Sequence, residues 1–188
     1  MLNKIFIILF KWAGWKVEGH IPTMLKKCIV AVVPHASWVD FPVGLGARAV
    51  IGKKIVYLGK AELFKPPFGW LFRTLGGMPV DRSKNNNLVD AVVQVFDSNE
   101  TLHVALAPEG TRKNVEKLKS GFYYVAKGAN IPIILVGFDY PRKTVFVREP
   151  FYPTDNVEAD FKEIATYFSQ IQGVQKTWIK NYLEGKYL

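Results

Sequence analysis

The chain has 188 residues, of which 49% are hydrophobic and 14% aromatic, and a single cysteine. Those proportions exclude an intrinsically disordered polymer and a disulfide scaffold, and the length suits one domain over 1–188 with a core large enough to frame a site. The formal charge of +9 is concentrated in residues 1–94, where 13 Lys and Arg face 5 Asp and Glu, whereas residues 95–188 hold 12 against 11. A basic first half of this kind is expected to meet something anionic: phospholipid head groups, nucleic acid or a phosphorylated small molecule.

Residues 1–16 read as a helix whose apolar stretch, 5–10, lies between Lys4 and Lys11. Six apolar residues fall far short of the roughly 20 that a membrane-spanning helix needs. Lys11 interrupts the stretch and no small-x-small cleavage site follows, which argues against a secretory signal. Phe6, Phe10, Trp12 and Trp15 beside Lys4, Lys11 and Lys16 have the composition of a helix lying in a membrane interface. Packing on the core as a first helix is the other reading, and both stand.

Farther along, apolar runs rich in β-branched residues occur at 28–33, 54–58, 101–107, 131–138 and 144–147. Most are continuous rather than alternating, the pattern of strands covered on both faces. Cys28 sits in the first of them, where a thiol behaves as a small buried hydrophobe. Helical spacing appears at 41–50, 62–75, 87–97, 115–128 and 157–172. Pro66 and Pro67 kink or delay the second of these, and Gly128 is placed to cap the fourth. Strands alternating with helices predict an α/β fold: a single domain with a layered, mostly parallel or mixed sheet flanked by helices, preceded by an N-terminal interfacial helix.

In such sheets, ligands gather outside the carboxyl ends of the strands. Three polar clusters fall at such places. The first, PHASWVD (34–40), follows the run 28–33 and contains His35 and Asp40, five positions apart. Neither a helix nor a strand aligns that spacing, so a turn must join them. Pro34 ends the strand and Pro42 suits a first helical turn, which leaves Asp40 near enough to fold back. A carboxylate on one ring nitrogen fixes the tautomer and leaves the other as a base. No GxSxG elbow accompanies the pair, so the base would act directly on a substrate hydroxyl or amine. The competing reading is a capping box made by Ser37 and Asp40. No further His or Cys stands at metal-ligand spacing.

The second cluster, GGMPVDR (76–82), lies beside a short extended piece and offers glycines for close backbone approach, with Arg82 as an anion-binding fork. The third, APEGTRK (107–113), follows the run 101–107 and sets Glu109, Gly110, Thr111 and Arg112 where N–H groups, a hydroxyl and a guanidinium suit a phosphate, without the spacing of a P-loop. His20 and His103 carry no assigned role.

In this order the clusters resemble the glycerophospholipid acyltransferases typified by bacterial 1-acylglycerol-3-phosphate acyltransferases. HASWVD (35–40) is similar to their HxxxxD block, GMPVDR (77–82) to their glycine-to-arginine block, and PEGTR (108–112) to their PEGTR block. IPII (131–134) resembles the fourth block, a proline in a hydrophobic strand, and KAEL (60–63) the segment between the first two. Pro34 stands where the family often has Asn, and Lys113 where Ser is common.

The resemblance implies that His35 is the general base, oriented by Asp40. It would deprotonate an acceptor hydroxyl as that oxygen attacks the thioester of an acyl-CoA or acyl carrier protein. It also implies that Lys60, Arg82, Glu109, Gly110, Thr111 and Arg112 serve a phosphate-bearing, lysophosphatidate-like acceptor, and that the fourth block helps place the acyl donor. No cofactor beyond the acyl thioester co-substrate is expected. The expected partners are the donor, including acyl carrier protein, a lysophospholipid acceptor and an anionic membrane surface, but no nucleic acid. The expected location is the cytoplasmic face of a membrane, held peripherally without a full transmembrane helix. A different lyso-lipid or amino-lipid acceptor is the nearest alternative. A non-catalytic membrane-surface or nucleic-acid-binding protein is a more distant one, the latter without a recognised binding motif.

Overall fold

Seven strands form the sheet: β1 (Lys16–Glu18), β2 (Lys27–Val33), β3 (Ile55–Lys60), β4 (Gly77–Val80), β5 (Leu102–Leu106), β6 (Ile133–Asp139) and β7 (Thr144–Val147). They belong to a computed structural model that describes residues 2–35, 37–80, 88–172 and 176–187, with main chain only for Lys60, Val80 and Leu88. The strand order is β1-β7-β6-β2-β5-β3-β4, parallel throughout except between β6 and β7. The sheet is therefore mixed but mostly parallel, as expected from runs that are apolar on both sides.

Those runs feed two cores. Ile29, Ala31, Val33, Val104, Ile133 and Leu135 point to one face, and Cys28, Val30, Ile134, Val136 and Phe138 to the other. The first face is covered by α4 (Leu88–Asp97), α5 (Gly121–Gly128), α6 (Val157–Ser169) and α7 (Thr177–Leu183), through Phe96, Tyr123, Phe168 and Trp178 among others. The second is covered by α1 (Leu2–Trp12) and α2 (Asp40–Ile51), through Phe10, Val43 and Ala47. All seven residues of β6 are buried between these layers. Cys28 lies fully inside the second core, where burial pushes its thiol up to about 12 against a smaller opposing pull from Lys53. It is inert there, as its place in an apolar run predicts.

β2 leads into α2 on one face, while its neighbour β5 leads toward α5 on the other. The chain thus departs in opposite directions from two adjacent parallel strand ends, the arrangement of a topological switch point.

Four expected helices are shorter than predicted: 1–16 is helical over Leu2–Trp12, with Lys16 already in β1, 157–172 is helical over Val157–Ser169, and the other two differ more. The segment 62–75 divides into a 3₁₀ turn, Ala61–Phe64, and α3 (Gly69–Thr74), separated by the Pro66–Pro67 pair. Of 115–128 only Gly121–Gly128 is helical. The residues before it spend their main chain on tertiary partners instead: Lys119 N–H donates to Pro108 C=O at 2.9 Å, and Asn181 Nδ2 donates to Glu116 C=O at 2.9 Å. Gly128 is not the left-handed exit of α5. That role falls to Asn130 at φ 51°, and a Cβ on Gly128 would lie 3.1 Å from Val93 Cγ2, so close packing on α4 is what favours glycine there.

The first helix packs on the core along one side and leaves apolar residues exposed along the other. Phe10 is buried against Gly46 of α2, where an added Cβ would come within 2.5 Å of Phe10 Cδ2. Leu2, Ile5, Ile8, Leu9 and Trp12 remain exposed, recurring every three to four residues along the helix. At 11 residues α1 is about 16 Å long, and no helix among the described residues is long and apolar enough to cross a membrane.

Candidate active site

His35 follows Pro34 directly off the end of β2, and Asp40 opens α2. Their side chains meet across the turn, with His35 Nδ1 at 3.3 Å from Asp40 Oδ2. The aspartate side chain is 3% exposed and the histidine 30%, so the carboxylate is enclosed while the ring opens to solvent. The same Oδ2 accepts the Ser37 N–H at 2.8 Å, and Ser37 Oγ accepts the Val39 N–H at 3.2 Å. The predicted capping box is not formed as such: the N-cap of α2 is Val39, without a side-chain cap hydrogen bond, and the Ser37 and Asp40 bonds close the turn before it. The carboxylate that closes this turn also faces the imidazole. The other carboxylate oxygen, Oδ1, accepts a hydrogen bond from the Tyr140 hydroxyl.

Glu109 comes from the turn after β5, yet its carboxylate faces inward. Oε2 accepts the His35 N–H at 2.5 Å, and Oε1 accepts from Trp178 Nε1 at 3.2 Å. Lys176 Nζ pairs with that Oε1 at 3.2 Å and reaches His35 C=O at 3.4 Å. Both polar main-chain groups of His35 are thereby held by one ion pair whose side chains are 0% and 3% exposed. Glu109 sits beneath the histidine loop rather than on the open side where an acceptor would approach.

Gly110 continues the turn at φ 67°, a left-handed conformation that strains any residue bearing a Cβ. Lys119 lies against it, since an added Cβ would sit 2.8 Å from Lys119 Cε. Thr111 Oγ1 accepts the Lys113 N–H at 3.2 Å, and the Arg112 side chain is exposed. Lys60 ends β3, but its side chain lies outside the described residues, as does the whole of Arg82, two positions past the end of β4. The strands that precede Arg112 and end at Lys60 and Val80 are consecutive neighbours in the sheet, β5-β3-β4, and parallel to β2. Their carboxyl ends, with His35, all lie along one edge. The fourth block does not: in-register pairing of Ile29 with Ile133 puts residues 131–134 near the opposite edge, where Ile131, Ile133 and Ile134 are buried in the cores. Roughly 20 Å of strand separates Ile133 from the His35 edge.

Three residues of this cluster carry no motif: Tyr140, Lys176 and Trp178. Tyr140 follows the carboxyl end of β6, so the strand-end rule marks its neighbourhood, whereas nothing local marks the other two. His103, near the amino end of β5, donates from Nε2 to Leu25 C=O at 3.0 Å, remote from the cluster.

A three-layer α/β domain with a half-buried imidazole facing a buried carboxylate at a switch point defines the class. Residues 15–139 match the family model described as Acyltransferase, and the chain belongs to that family. It is 30% identical over 137 residues to 1-acyl-sn-glycerol-3-phosphate acyltransferase of Streptococcus pneumoniae (strain ATCC BAA-255 / R6), a match covering 68% of this chain. The matched segment spans about half, 50%, of that relative's length. The crystal structure of the 1-acyl-sn-glycerophosphate (LPA) acyltransferase PlsC from Thermotoga maritima has the same fold, with a TM-score of 0.60 and 22% identity over 99% of this chain and 78% of that one.

Proposed function

We propose that the protein is an O-acyltransferase that moves an acyl group from a thioester, acyl-CoA or acyl carrier protein, to a hydroxyl of a lysophosphatidate-like acceptor. The observation that carries this reading is the His35–Asp40 pair, with Nδ1 engaged and the ring open at a strand edge that also bears Arg112. His35 Nε2 takes the proton of the acceptor hydroxyl as its oxygen attacks the thioester carbonyl, and Asp40 stabilises the resulting imidazolium. The tetrahedral intermediate collapses, the C–S bond breaks, and the thiolate takes the proton back from His35. Arg112, with Lys60 and Arg82 from the neighbouring strand ends, holds the acceptor phosphate. Thr111 and Gly110 shape the turn that presents Arg112.

The exposed apolar stripe of α1, flanked by Lys4 and Lys11, supports peripheral docking on an anionic membrane surface, where a lyso-lipid acceptor is available. The test is thiol release from acyl-CoA and acyl carrier protein donors with a panel of lyso-lipid acceptors, the products read by mass spectrometry. A phosphate-headed lysolipid is expected to be acylated preferentially, and His35→Ala is expected to lower turnover by about 10² to 10⁴ while the protein stays folded. Near-normal turnover by that variant refutes the base assignment. Transfer only to acceptors lacking a phosphate refutes the acceptor assignment.

A further inference from the structure

Tyr140 stands immediately after β6, on the opposite side of β2 from the strands that lead to Arg112 and Arg82. Its hydroxyl donates to Oδ1 of Asp40, while Oδ2 of the same carboxylate faces His35 Nδ1 and accepts the Ser37 N–H. The tyrosine ring is fixed from elsewhere: Trp15, between α1 and β1, meets it edge-on at 5.2 Å and 87°. Burial first, and then the bond to Asp40, hold the Tyr140 hydroxyl far above the ordinary phenol range. Near neutral pH the phenol is therefore protonated and a donor.

The terminal torsion of an aspartate is soft, so contacts at one oxygen constrain the plane of the carboxylate weakly. A donor on the second oxygen fixes that plane. It also withdraws charge from the carboxylate, because hydrogen bonds to the charged form favour it over the protonated one. We propose that Tyr140 is a positioning residue for acyl transfer, its O–H setting the plane and the basicity of the Asp40 carboxylate that orients His35. The inference rests on His35 acting as the base. Among the described residues, Asp40 faces the His35 ring and Tyr140 faces Asp40, Glu109 and Lys176 face the main chain of His35, and the Trp15 ring packs on Tyr140.

Tyr140→Phe keeps the ring against Trp15 and removes the hydroxyl. The expected result is a fall in kcat of about 10- to 100-fold, the worth of a hydrogen bond to a charged group, with KM for donor and acceptor changed by less than about twofold. The more basic carboxylate holds the protonated imidazole more firmly, so the acid limb of the kcat/KM profile moves to higher pH. Because the tyrosine acts through the carboxylate, Asp40→Asn and Asp40→Asn/Tyr140→Phe should turn over equally. If Tyr140→Phe melts markedly earlier than the parent, 3-fluorotyrosine at 140 is the second variant: it keeps the shape, donates more strongly, and should move the acid limb to lower pH. An unmoved limb in either variant, or losses from Asp40→Asn and Tyr140→Phe that multiply, would reduce Tyr140 to a structural role. Wild-type behaviour of Tyr140→Phe alongside an inactive His35→Ala overturns the positioning inference alone, whereas an active His35→Ala overturns the base reading beneath it.

Discussion

Glu109 and Arg112 leave one turn in opposite directions, the glutamate into the core beneath His35 and the arginine out to solvent. The residue types in the PEGTR segment are legible in the sequence, but this division of labour is not, because a short turn has no fixed periodicity from which to read direction. His35 and Asp40 were readable as a pair because one turn joins them. Tyr140 and Lys176 were not, since they reach the same turn across 100 and 141 positions of chain. The Glu109–Lys176 pair has a consequence of its own. Lys176→Met leaves the glutamate charge buried beside Trp178 without its cation, a loss expected to cost about 3–5 kcal/mol. Glu109→Gln/Lys176→Met carries no buried charge and should recover much of that stability, as measured by chemical unfolding followed by circular dichroism. A double variant no more stable than Lys176→Met would mean that the cation stabilises the fold through other contacts.

At the level of elements, the strands were the most readable parts, because runs apolar on both sides mark a doubly covered sheet. β1 and α7 escaped: KVE is too short to show any period, and TWIKNYL is two turns whose burial is decided by what packs on Trp178. The overlong reading of 115–128 has a different origin, since its polar spacing is helical while its main chain is drawn off to Pro108 and Asn181. The placement of α1 depends on Gly46. Gly46→Ala brings a methyl to within 2.5 Å of Phe10 Cδ2, and the helix must lift to relieve it. A loss of about 1–3 kcal/mol, the usual cost of overpacking, is expected in thermal unfolding. Substitution on the other side of the same helix should behave oppositely. Ile8→Asp and Trp12→Asp, both at exposed positions, should leave the melting temperature unchanged while weakening sedimentation with anionic vesicles. Unchanged vesicle binding by both would remove α1 from the docking surface.

For the molecule as a whole, charge is divided between two settings. The excess of cations in residues 1–94 includes Lys4 and Lys11 beside the apolar stripe, and surface charges of this kind are worth about 1 kcal/mol each at an anionic bilayer. They act through water, where the screening length shrinks from about 10 Å at 0.1 M salt to about 3 Å at 1 M. Binding to anionic vesicles is accordingly expected to fall as salt is raised, and to persist only as far as the apolar stripe alone can hold it. The other setting is the ion pair under His35, which no counterion can reach because both side chains are enclosed. It is insulated in the electrical sense. Raising the ionic strength should therefore detach the protein from a lipid surface without loosening the loop that carries the base. At saturating acceptor, the kcat for a monomeric, water-soluble short-chain acceptor should hold nearly constant across a salt series in which turnover of the same head group, presented on vesicles, declines.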